Sequence, residues 1–272
     1  MTKNLDKEGL RSIIDDYQLL YIDLWGVVHD GVSLHKEAIK ALNELTEKKK
    51  DFILLTNAPR PNHAVKFFLE KLGMEKKIRD HVFTSGEAAL NYLKKNLLKE
   101  TFYHIGPPRD FDLFNDFETN KSDNIEKCDY LLCTGLFDDY DKDLDYYKAI
   151  LNSEINKIMI CTNPDLVVDR GETREYCAGS VAKIFEEIGG KIEYFGKPYS
   201  NVYNLAAKIE NKKVLCIGDN LNTDIRGANS QKFSSLLISN GIHRNEIKND
   251  NKKILFEKYN VEVDFIQSEL KW

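Results

Sequence analysis

The sequence has little of what defines several large classes of protein. Its 272 residues include only 6 prolines and 15 glycines, too few for a collagen-like or a disordered chain. The 5 cysteines show no CxxC spacing, so neither a disulfide framework nor a zinc knuckle is indicated. No apolar run approaches the roughly 18 residues that a transmembrane helix needs. The composition is that of a soluble globular protein, and the length allows one large α/β domain or a core with a second, smaller domain.

The charge balance and the N-terminal segment set further expectations. Lys and Arg number 39 against 44 Asp and Glu, a net charge of −5. An acidic chain without a basic arm is not expected to bind nucleic acid. Residues 1–17 are charged throughout and lack the apolar stretch of a secretory signal. We therefore predict a cytoplasmic protein whose partner is neither nucleic acid nor a membrane.

Short apolar runs alternate with amphipathic segments along most of the chain. In the segment 35–49, for example, Ile39, Leu42 and Leu45 recur at helical spacing. Strands that alternate with helices indicate a Rossmann-like, doubly wound α/β fold with a parallel sheet covered by helices. Eight of the apolar runs are predicted to be strands: Leu19–Asp23, Phe52–Leu55, Thr101–Ile105, Tyr130–Cys133, Lys157–Cys161, Ile192–Phe195, Val214–Ile217 and Ser235–Ile238.

Two stretches do not follow this alternation. The run from about Asn96 to Tyr130 is rich in Asp, Asn and Pro, yet structured alternation resumes after it. We interpret it as the beginning of an inserted region rather than as a long loop. In the tail, Ile254–Phe256 and Val261–Ile266 are compatible with a last core helix or with an edge strand.

Polar side chains follow four of the predicted strands. In chain order they are Asp23, then Thr56 and Asn57, then Lys197, then Asp219 and Asp224. Ligands of open parallel sheets bind at the carboxyl ends of strands, so these side chains are expected to share one site. Carboxylates hold Mg²⁺, while lysine, hydroxyl and backbone N–H groups bind phosphate oxygens. The set predicts phosphoryl transfer, in which a carboxylate attacks phosphorus and forms an aspartyl-phosphate.

Taken singly, each residue has a plainer interpretation. An Asp that ends an apolar strand is often a turn residue. Thr56 and Asn57 are equally well explained as the beginning of a turn. Lys197, considered by itself, is equally well explained as a surface lysine. GDNLNTD is more specific, although it is not an EF-hand loop, because Gly at the sixth position and Glu at the twelfth are missing. A GxGxxG fingerprint for a dinucleotide is absent. The order of the four segments together favours phosphoryl transfer.

In these segments the chain resembles the haloacid dehalogenase (HAD) superfamily, and most closely its class IIA branch of NagD-like, pyridoxal-phosphate and phosphoglycolate phosphatases. The resemblance runs from about residue 19 to residue 241, with YIDLWGV, LLTNAPRP, GKPYSNVY and GDNLNTDI as motifs I to IV in family order. TSGEAAL and CTNPDLVVDRG are also similar to segments of this branch.

The resemblance implies a HAD core with a C2-type α/β cap inserted between motifs II and III. We accordingly predict a first core segment at 1–97, a cap at 98–192 and a second core segment at 193–272. It further implies Mg²⁺ as the cofactor and a small phosphorylated metabolite as the substrate. The family's tendency to self-associate makes a homodimer one expected state.

The resemblance also implies a role for each matching residue. Asp23 is the nucleophile and a Mg²⁺ ligand, Asp219 is the second carboxylate ligand, and Asp224 binds the metal or orients the residues that do. Trp25 offers Mg²⁺ only its backbone carbonyl. The residues that hold the transferring phosphoryl group are Thr56, Asn57 and Lys197. Metal and lysine together neutralise a multiply charged group that otherwise repels Asp23, so Lys197 counts with Asp23 as catalytic.

Motif I departs from the family pattern. The phosphatases of the branch read DxDG there, and the second Asp is the general acid and base; this chain reads Asp23-Leu24-Trp25-Gly26. An indole N–H neither protonates an alkoxide nor activates water. General acid–base catalysis is worth about 10²–10⁴-fold in rate. A simple sugar phosphatase mechanism loses that factor.

Three interpretations of Trp25 stay open. First, the substrate has a leaving group of low pKa, as in an acyl phosphate, an aryl phosphate or a diphosphate. Second, His29 or Asp30 replaces the missing acid, although both also fit a turn before Gly31. Third, the chain is a phosphoryl-ligand binding or regulatory protein with little or no turnover. Dehalogenases of the superfamily also lack the second Asp, but they generally lack this cap and need no Mg²⁺.

The cap segment after Cys161 supplies the candidate contacts to the substrate. These are Asn163, Asp165, Arg170 and Arg174, with Asp169 and Glu172 in the same segment. Arg170 or Arg174 is suited to a second anionic group. A solvated, charged loop is an equally good interpretation.

Overall fold

The computed structural model describes residues 2–171, 173–249 and 251–272. Its strands are β1 (Lys3–Asn4), β2 (Leu19–Ile22), β3 (Asp51–Thr56), β4 (Val82–Thr84), β5 (Phe102–Ile105), β6 (Tyr130–Cys133), β7 (Ile158–Cys161), β8 (Val167–Arg170), β9 (Thr173–Tyr176), β10 (Lys191–Tyr194), β11 (Val214–Gly218), β12 (Ser234–Ile238) and β13 (Phe265–Gln267).

Helices occupy most of the connections between these strands. They are α1 (Lys36–Glu47), α2 (Asn62–Lys71), α3 (Lys76–Arg79), α4 (Ser85–Asn96), α5 (Leu144–Leu151), α6 (Ala178–Glu187), α7 (Ser200–Ala206), α8 (Arg226–Gln231), α9 (Arg244–Asn249) and α10 (Lys252–Tyr259). Short 3₁₀ segments lie at Leu10–Ser12, Ile14–Asp16, Pro108–Leu113, Asn115–Asn120, Ile125–Lys127 and Asp138–Tyr140, and a π-helical turn at Leu221–Ile225 precedes α8. None of the helices within the described residues has the length and apolar character that a bilayer span requires.

The strands form two parallel sheets and one hairpin. The core sheet has seven strands in the order β1-β13-β12-β11-β2-β3-β4, and the second sheet has four in the order β10-β7-β6-β5. All pairings within both sheets are parallel, whereas β8 and β9 pair only with each other and antiparallel. The second sheet lies between β4 and β11 of the core sheet along the chain. This confirms the predicted α/β fold with an inserted α/β cap of the C2 type.

All eight predicted strands form, each within one residue of its predicted ends. The position of one of them differs from the expectation. The strand before Lys197, β10, pairs with β7 of the second sheet, with Tyr194 opposite Cys161. Lys197 therefore comes from the inserted sheet, and not from a strand of the core sheet as the four strand ends had suggested. The domain limits at 97 and 192 stay a prediction, and β10 crosses the second of them.

The strands that were not predicted are short or polar. The two-residue β1 and the three-residue β4 and β13 have too few residues to show a pattern. The tail contains both of the alternatives named above, because α10 is a helix and β13 is a strand. That strand lies between β1 and β12 in the sheet, so it is not at the edge.

The hydrophobic pattern explains why these elements form. In α1 the buried residues are Ala38, Ala41, Leu42 and Leu45, which share one helix face at the spacing of two turns. The central strand β2, with the sequence LLYI, is buried at every position, as expected for a parallel strand covered on both faces. Thr84 caps the N-terminus of helix α4, since its hydroxyl accepts a hydrogen bond from the backbone N–H of Glu87 at 2.8 Å.

One hydrophobic cluster is shared by the two sheets. It joins core residues such as Tyr21 and Leu55 to Phe102, Tyr130 and Leu132 of the inserted sheet. The inserted sheet is therefore packed directly on the core instead of being joined to it only by linkers. This packing determines which loops of the two sheets meet.

We expect Phe102→Ala to lower the free energy of unfolding by about 3–5 kcal/mol, because the fully buried ring at the shared cluster leaves a cavity. Phe67→Ala is the control. Its ring is 58% exposed, so its removal should change stability by less than about 0.5 kcal/mol. Urea unfolding followed by circular dichroism measures both. A loss from Phe102→Ala as small as that of the control would contradict a shared core.

Candidate active site

The carboxyl ends of three adjacent core strands bring the predicted carboxylates together. Asp23 follows β2, Thr56 ends β3, and Asp219 follows β11, which pairs with β2. Asp224 lies in the π-helical turn that begins two residues after Asp219. All four side chains are buried. The edge of the core sheet thus holds the set that the sequence predicted for it.

Lys197 lies between two of these carboxylates. Its ammonium group donates to Asp23 Oδ1 and to Asp224 Oδ1, the latter at 2.7 Å. All three side chains are less than 10% exposed. Burial lowers the pKa of Lys197, but the charges of Asp224 and Asp23 outweigh it and hold the pKa above its usual value. The lysine is therefore a fixed positive charge beside Asp23.

Asn57 positions the backbone of that lysine. Its Oδ1 accepts from the Lys197 backbone N–H at 2.7 Å, and its Nδ2 donates to the Lys197 carbonyl at 3.0 Å. Both ends of the Asn57 amide are therefore engaged by the lysine loop. The Thr56 hydroxyl accepts from the backbone N–H of Ala58 at 3.3 Å. Their roles in holding a phosphoryl group stay predictions.

Asp23, Asp219 and Asp224 form a cluster that fits a metal ion. One carboxylate oxygen from each lies within 4.8 Å of the others. A Cβ atom on Gly26 or on Gly241 would lie only 2.2 or 2.1 Å from Asp219 Oδ2, so both positions require glycine. At Gly26 the backbone is also left-handed, with φ of 82°. Sequence reasoning missed Gly241, for which no motif gave a signal.

The charges of the site are unbalanced without a cation. Burial and the neighbouring Asp224 outweigh Lys197 and raise the pKa of Asp23 to about 8. Burial, together with the charges of Asp23 and Asp224, raises the pKa of Asp219 well above its usual value. Three buried carboxylates face one ammonium group, and this excess of hard, anionic oxygens suits Mg²⁺. The residues present fit that ion.

The indole of Trp25 contacts the β8–β9 hairpin. Its Nε1 donates to the backbone carbonyl of Asp169 in β8 at 2.7 Å. The Arg170 guanidinium lies 5.0 Å from the centre of the indole ring. The indole N–H is therefore used in a contact with the inserted region. The backbone carbonyl of Trp25 as a metal ligand stays a prediction.

His29 and Asp30 shape the turn that follows motif I. His29 Nδ1 accepts from the Gly31 backbone N–H at 3.0 Å, and burial lowers the pKa of this histidine to about 4. Asp30 Oδ1 accepts from the backbone N–H groups of Val32 and Ser33 at 2.8 and 2.7 Å. Near neutral pH the histidine is uncharged and the aspartate is ionised. Both residues are thus better suited to stabilising the turn than to donating a proton to the leaving group.

The loops of both sheets line one cleft of about 1040 Å³. Asn163 and Asp165, from the loop after β7, lie on its wall with Asp23 and Lys197. Asn163 Oδ1 accepts from the Asp165 backbone N–H at 3.0 Å and so orders its own loop. Burial raises the pKa of Asp165 to about 6. The structure therefore brings both candidates into the site.

The two cap arginines differ in their partners. Arg174 donates to both carboxylate oxygens of Asp169, at 2.7 and 3.2 Å, and is occupied by that pair. Arg170 donates through Nε to Glu175 at 3.2 Å and stacks on Trp25. Glu172 lies outside the described residues. Sequence reasoning missed Asp169 as the shared partner, because its contacts join segments far apart in the chain.

A second charged group lines the cleft near the loops after β5 and β6. Asp110 is only 4% exposed, and burial outweighs a hydrogen bond with Thr134 to raise its pKa to about 6. Arg109 nearby pairs with Asp138 at 2.9 Å. No motif in the sequence indicated Asp110.

We expect Asp219→Asn to have opposite effects with and without Mg²⁺. Without the ion, the neutral amide relieves the crowding of buried negative charge, so the melting temperature at pH 7.5 should rise above that of the wild type. With millimolar Mg²⁺ the wild type should gain stability by mass action, and the variant should gain little. Thermal denaturation with and without Mg²⁺ measures this.

Asp138→Asn, at an exposed carboxylate, is the control and should respond to Mg²⁺ as the wild type does. Equal Mg²⁺ responses of the wild type and Asp219→Asn would contradict the metal site.

We expect Asp110→Asn to stabilise the protein at high pH but not at low pH. The folded-state pKa of about 6 lies above the unfolded value, so the carboxyl binds its proton more tightly when folded. Its contribution to stability is present below pH 4 and is lost as the pH rises through 6. The gain from the amide should reach at most about 3 kcal/mol at pH 8. Denaturant unfolding at pH 4.5 and pH 8 tests this, with Asp138→Asn as the exposed control. A pH-independent difference would refute it.

Two protein-family models match this chain. A model described as haloacid dehalogenase-like hydrolase matches residues 20–119, and a HAD-hydrolase-like model matches residues 194–258. Together they cover more than half of the chain. The unmatched residues between them contain most of the inserted sheet.

Similar proteins extend over nearly the whole chain. Phosphoglycolate phosphatase 2 of Arabidopsis thaliana is 23% identical over an alignment of 270 positions, and the match covers 88% of this chain and 88% of that one. A haloacid dehalogenase-like hydrolase from Brucella suis 1330 has a solved structure that is 28% identical, with a TM-score of 0.80 and 96% of this chain and 98% of that one covered. The p-nitrophenyl phosphatase from Archaeoglobus fulgidus shares the fold at 18% identity, with a TM-score of 0.72 and coverage of 94% and 97%. The chain belongs to the haloacid dehalogenase superfamily of hydrolases, in the phosphatase family of its class IIA branch.

Proposed function

We propose that the chain is a Mg²⁺-dependent phosphohydrolase that acts through a phosphorylated Asp23. Its substrate is a small phosphorylated metabolite whose leaving group has a low pKa. One observation carries the proposal. The Lys197 ammonium bridges Asp23 and Asp224, while the indole in the usual position of the general acid donates its N–H to Asp169.

The chain's own residues support nucleophilic attack by Asp23. An Asp23 carboxylate oxygen bonds to phosphorus, the bond from phosphorus to the leaving oxygen breaks, and the leaving group takes the electron pair. Lys197 compensates the negative charge that the phosphoryl oxygens carry during transfer. Bound Mg²⁺ supplies the positive charge that keeps the buried carboxylates ionised and offsets their repulsion of the substrate. Water then hydrolyses the acyl phosphate on Asp23 and releases phosphate.

The surroundings of Asp23 explain the preference for a good leaving group. An alkoxide needs a proton as it departs, whereas a phenolate or a carboxylate does not. Within the described residues, Trp25, His29 and Asp30 are engaged in other contacts. Asp165 is a buried carboxyl of the cap near Lys197; its Oδ1 has no hydrogen-bond partner among the described residues, and its role is tested separately below. We therefore expect a slow reaction with alkyl phosphates.

We expect the wild type to hydrolyse phenyl and acetyl phosphate faster than glycerol phosphate by about 10²-fold or more in kcat/KM, because only the alkyl ester needs a general acid. Trp25→Asp should raise kcat/KM for glycerol phosphate by at least about tenfold. Trp25→Asn is the matched control: it removes the same ring but cannot donate a carboxyl proton. Release of inorganic phosphate with and without Mg²⁺ measures all three proteins.

Several outcomes bear on this proposal. Asp23→Asn should abolish turnover of every substrate. Equal rates of the wild type on alkyl and aryl phosphates would overturn the idea of a low-pKa leaving group. A selective loss of alkyl hydrolysis in Asp165→Asn would instead make that carboxyl the proton donor. Stabilisation by Mg²⁺ with vanadate, without turnover of any substrate, would favour the binding-protein alternative.

A further inference from the structure

Trp25 is held by contacts that phosphoryl transfer does not use. Its indole N–H donates to the Asp169 carbonyl at 2.7 Å, and the Arg170 guanidinium lies 5.0 Å above the ring. The His29 ring packs edge-on against it at 5.1 Å between ring centroids. A Cβ atom on Gly31 would come within 2.6 Å of the indole, so the turn leaves room for this ring. The indole is thus held in a defined position between motif I and β8.

Asp169 extends this contact to another part of the core. Its carboxylate accepts from Arg174 of β9 at 2.7 Å and from Arg244, at the start of α9, also at 2.7 Å. Arg174 in turn donates to the carbonyl of Ile242 at 3.3 Å. The hairpin is therefore attached to the core at two points, the indole of Trp25 and the loop that leads into α9.

The hairpin depends on these contacts for its position. Strands β8 and β9 pair with each other and with neither of the two sheets. A two-stranded hairpin alone is marginally stable in water. Its residues line the same cleft as Asp23 and Lys197. The place where the hairpin lies over the cleft is consequently set by its side-chain and carbonyl contacts to the core.

Arg170 is the cationic group of the cleft that the indole contacts directly. Its side chain is 45% exposed on the cleft wall. The indole face attracts the guanidinium and limits its freedom. Arg170 pairs with Glu175 through Nε alone, at 3.2 and 3.3 Å, whereas Arg174 uses both Nε and Nη2 on the Asp169 carboxylate. Of the two predicted cap arginines, Arg170 is therefore the one placed to meet a ligand.

We propose that Trp25 is a positioning residue which docks the β8–β9 hairpin over the cleft and thereby presents Arg170 to a second anionic group on the substrate. The proposal deepens the proposed function and rests on it for the nature of the reaction. The docking contact itself does not depend on turnover. The substrate class becomes a phosphate ester or anhydride whose leaving portion carries a further negative charge, such as a carboxylate.

The docking contact is tested without activity, by hydrogen–deuterium exchange of the peptide that spans the hairpin. Trp25→Phe keeps an aromatic face for Arg170 but removes the N–H donor to Asp169. Exchange of the hairpin amides should rise by about fivefold to tenfold, the equilibrium effect of one lost hydrogen bond. Trp272→Phe, at the other of the 2 tryptophans, is the control and should leave the hairpin unchanged. Unchanged exchange in Trp25→Phe would overturn the docking role.

The specificity is tested with a pair of aryl phosphates, phenyl phosphate and 4-carboxyphenyl phosphate. Arg170→Gln should raise KM for the carboxylated ester by about tenfold while KM for phenyl phosphate and both kcat values change less than about twofold. Trp25→Phe should shift the same KM ratio in the same direction. Arg109→Gln, at an exposed arginine elsewhere on the cleft wall, is the matched control and should leave the ratio unchanged.

The two readouts separate this inference from the proposed function. An unchanged KM ratio in Arg170→Gln would overturn the assignment of Arg170. Absence of turnover on both esters would refute the proposed function, and hydrogen exchange would still decide the docking role of Trp25.

Discussion

The contact of Lys197 with Asp23 and Asp224 is the interaction on which the rest of the structure depends. Burying three charged groups carries a large desolvation cost, which is offset only when the charges remain paired in good geometry. The pairing here joins Asp23 to a residue 174 positions away, across the two sheets. Any change that moves one sheet relative to the other leaves a buried charge without its partner. The architecture can be understood as the means of keeping that distance constant.

The inserted sheet serves this purpose because it is packed on the core. A continuous apolar cluster runs from Tyr21 and Leu55 to Phe102 and Tyr130. Polar contacts reinforce it: the Ser85 hydroxyl at the start of α4 lies 2.6 Å from the Thr162 carbonyl oxygen after β7. The Asn57 amide holds the lysine loop from the core side. Loops from the carboxyl ends of both sheets therefore line one cleft, and each sheet contributes part of the charge cluster.

Motif I has an indole where the phosphatases that it resembles have an acid. An acid in the place of Trp25 would add a fourth carboxyl to a cluster that already has three around one lysine. The indole instead carries no charge, and it uses its N–H to reach the β8–β9 hairpin. In the function proposed above, the chain exchanges a proton donor for a contact that positions the cap. This exchange is chemically acceptable where the leaving group departs without protonation.

Much of the fold could be predicted from the sequence. The alternation of apolar runs and helical periodicity located eight strands to within one residue, because burial on both faces of a parallel sheet requires continuous apolar runs. The short strands β1, β4 and β13 were missed, since two or three residues carry no periodicity. The polar hairpin β8–β9 was missed because no apolar face marks it. The sequence indicated the four residues of the charge cluster because each lies in a loop or turn shortly after a strand; these are Asp23, Lys197, Asp219 and Asp224.

By itself the sequence determined the α/β class, the order of the four motifs and the types of side chain at the site. These are local properties, since they depend on patterns within a few residues. Tertiary structure alone decided that Lys197 arrives from the inserted sheet and that Asp169 links β8, β9 and α9. It also decided where the indole of Trp25 points, because its partner lies 144 residues away. Such contacts follow from how whole elements pack against one another. The sequence of a short segment does not determine which distant residue its side chains contact.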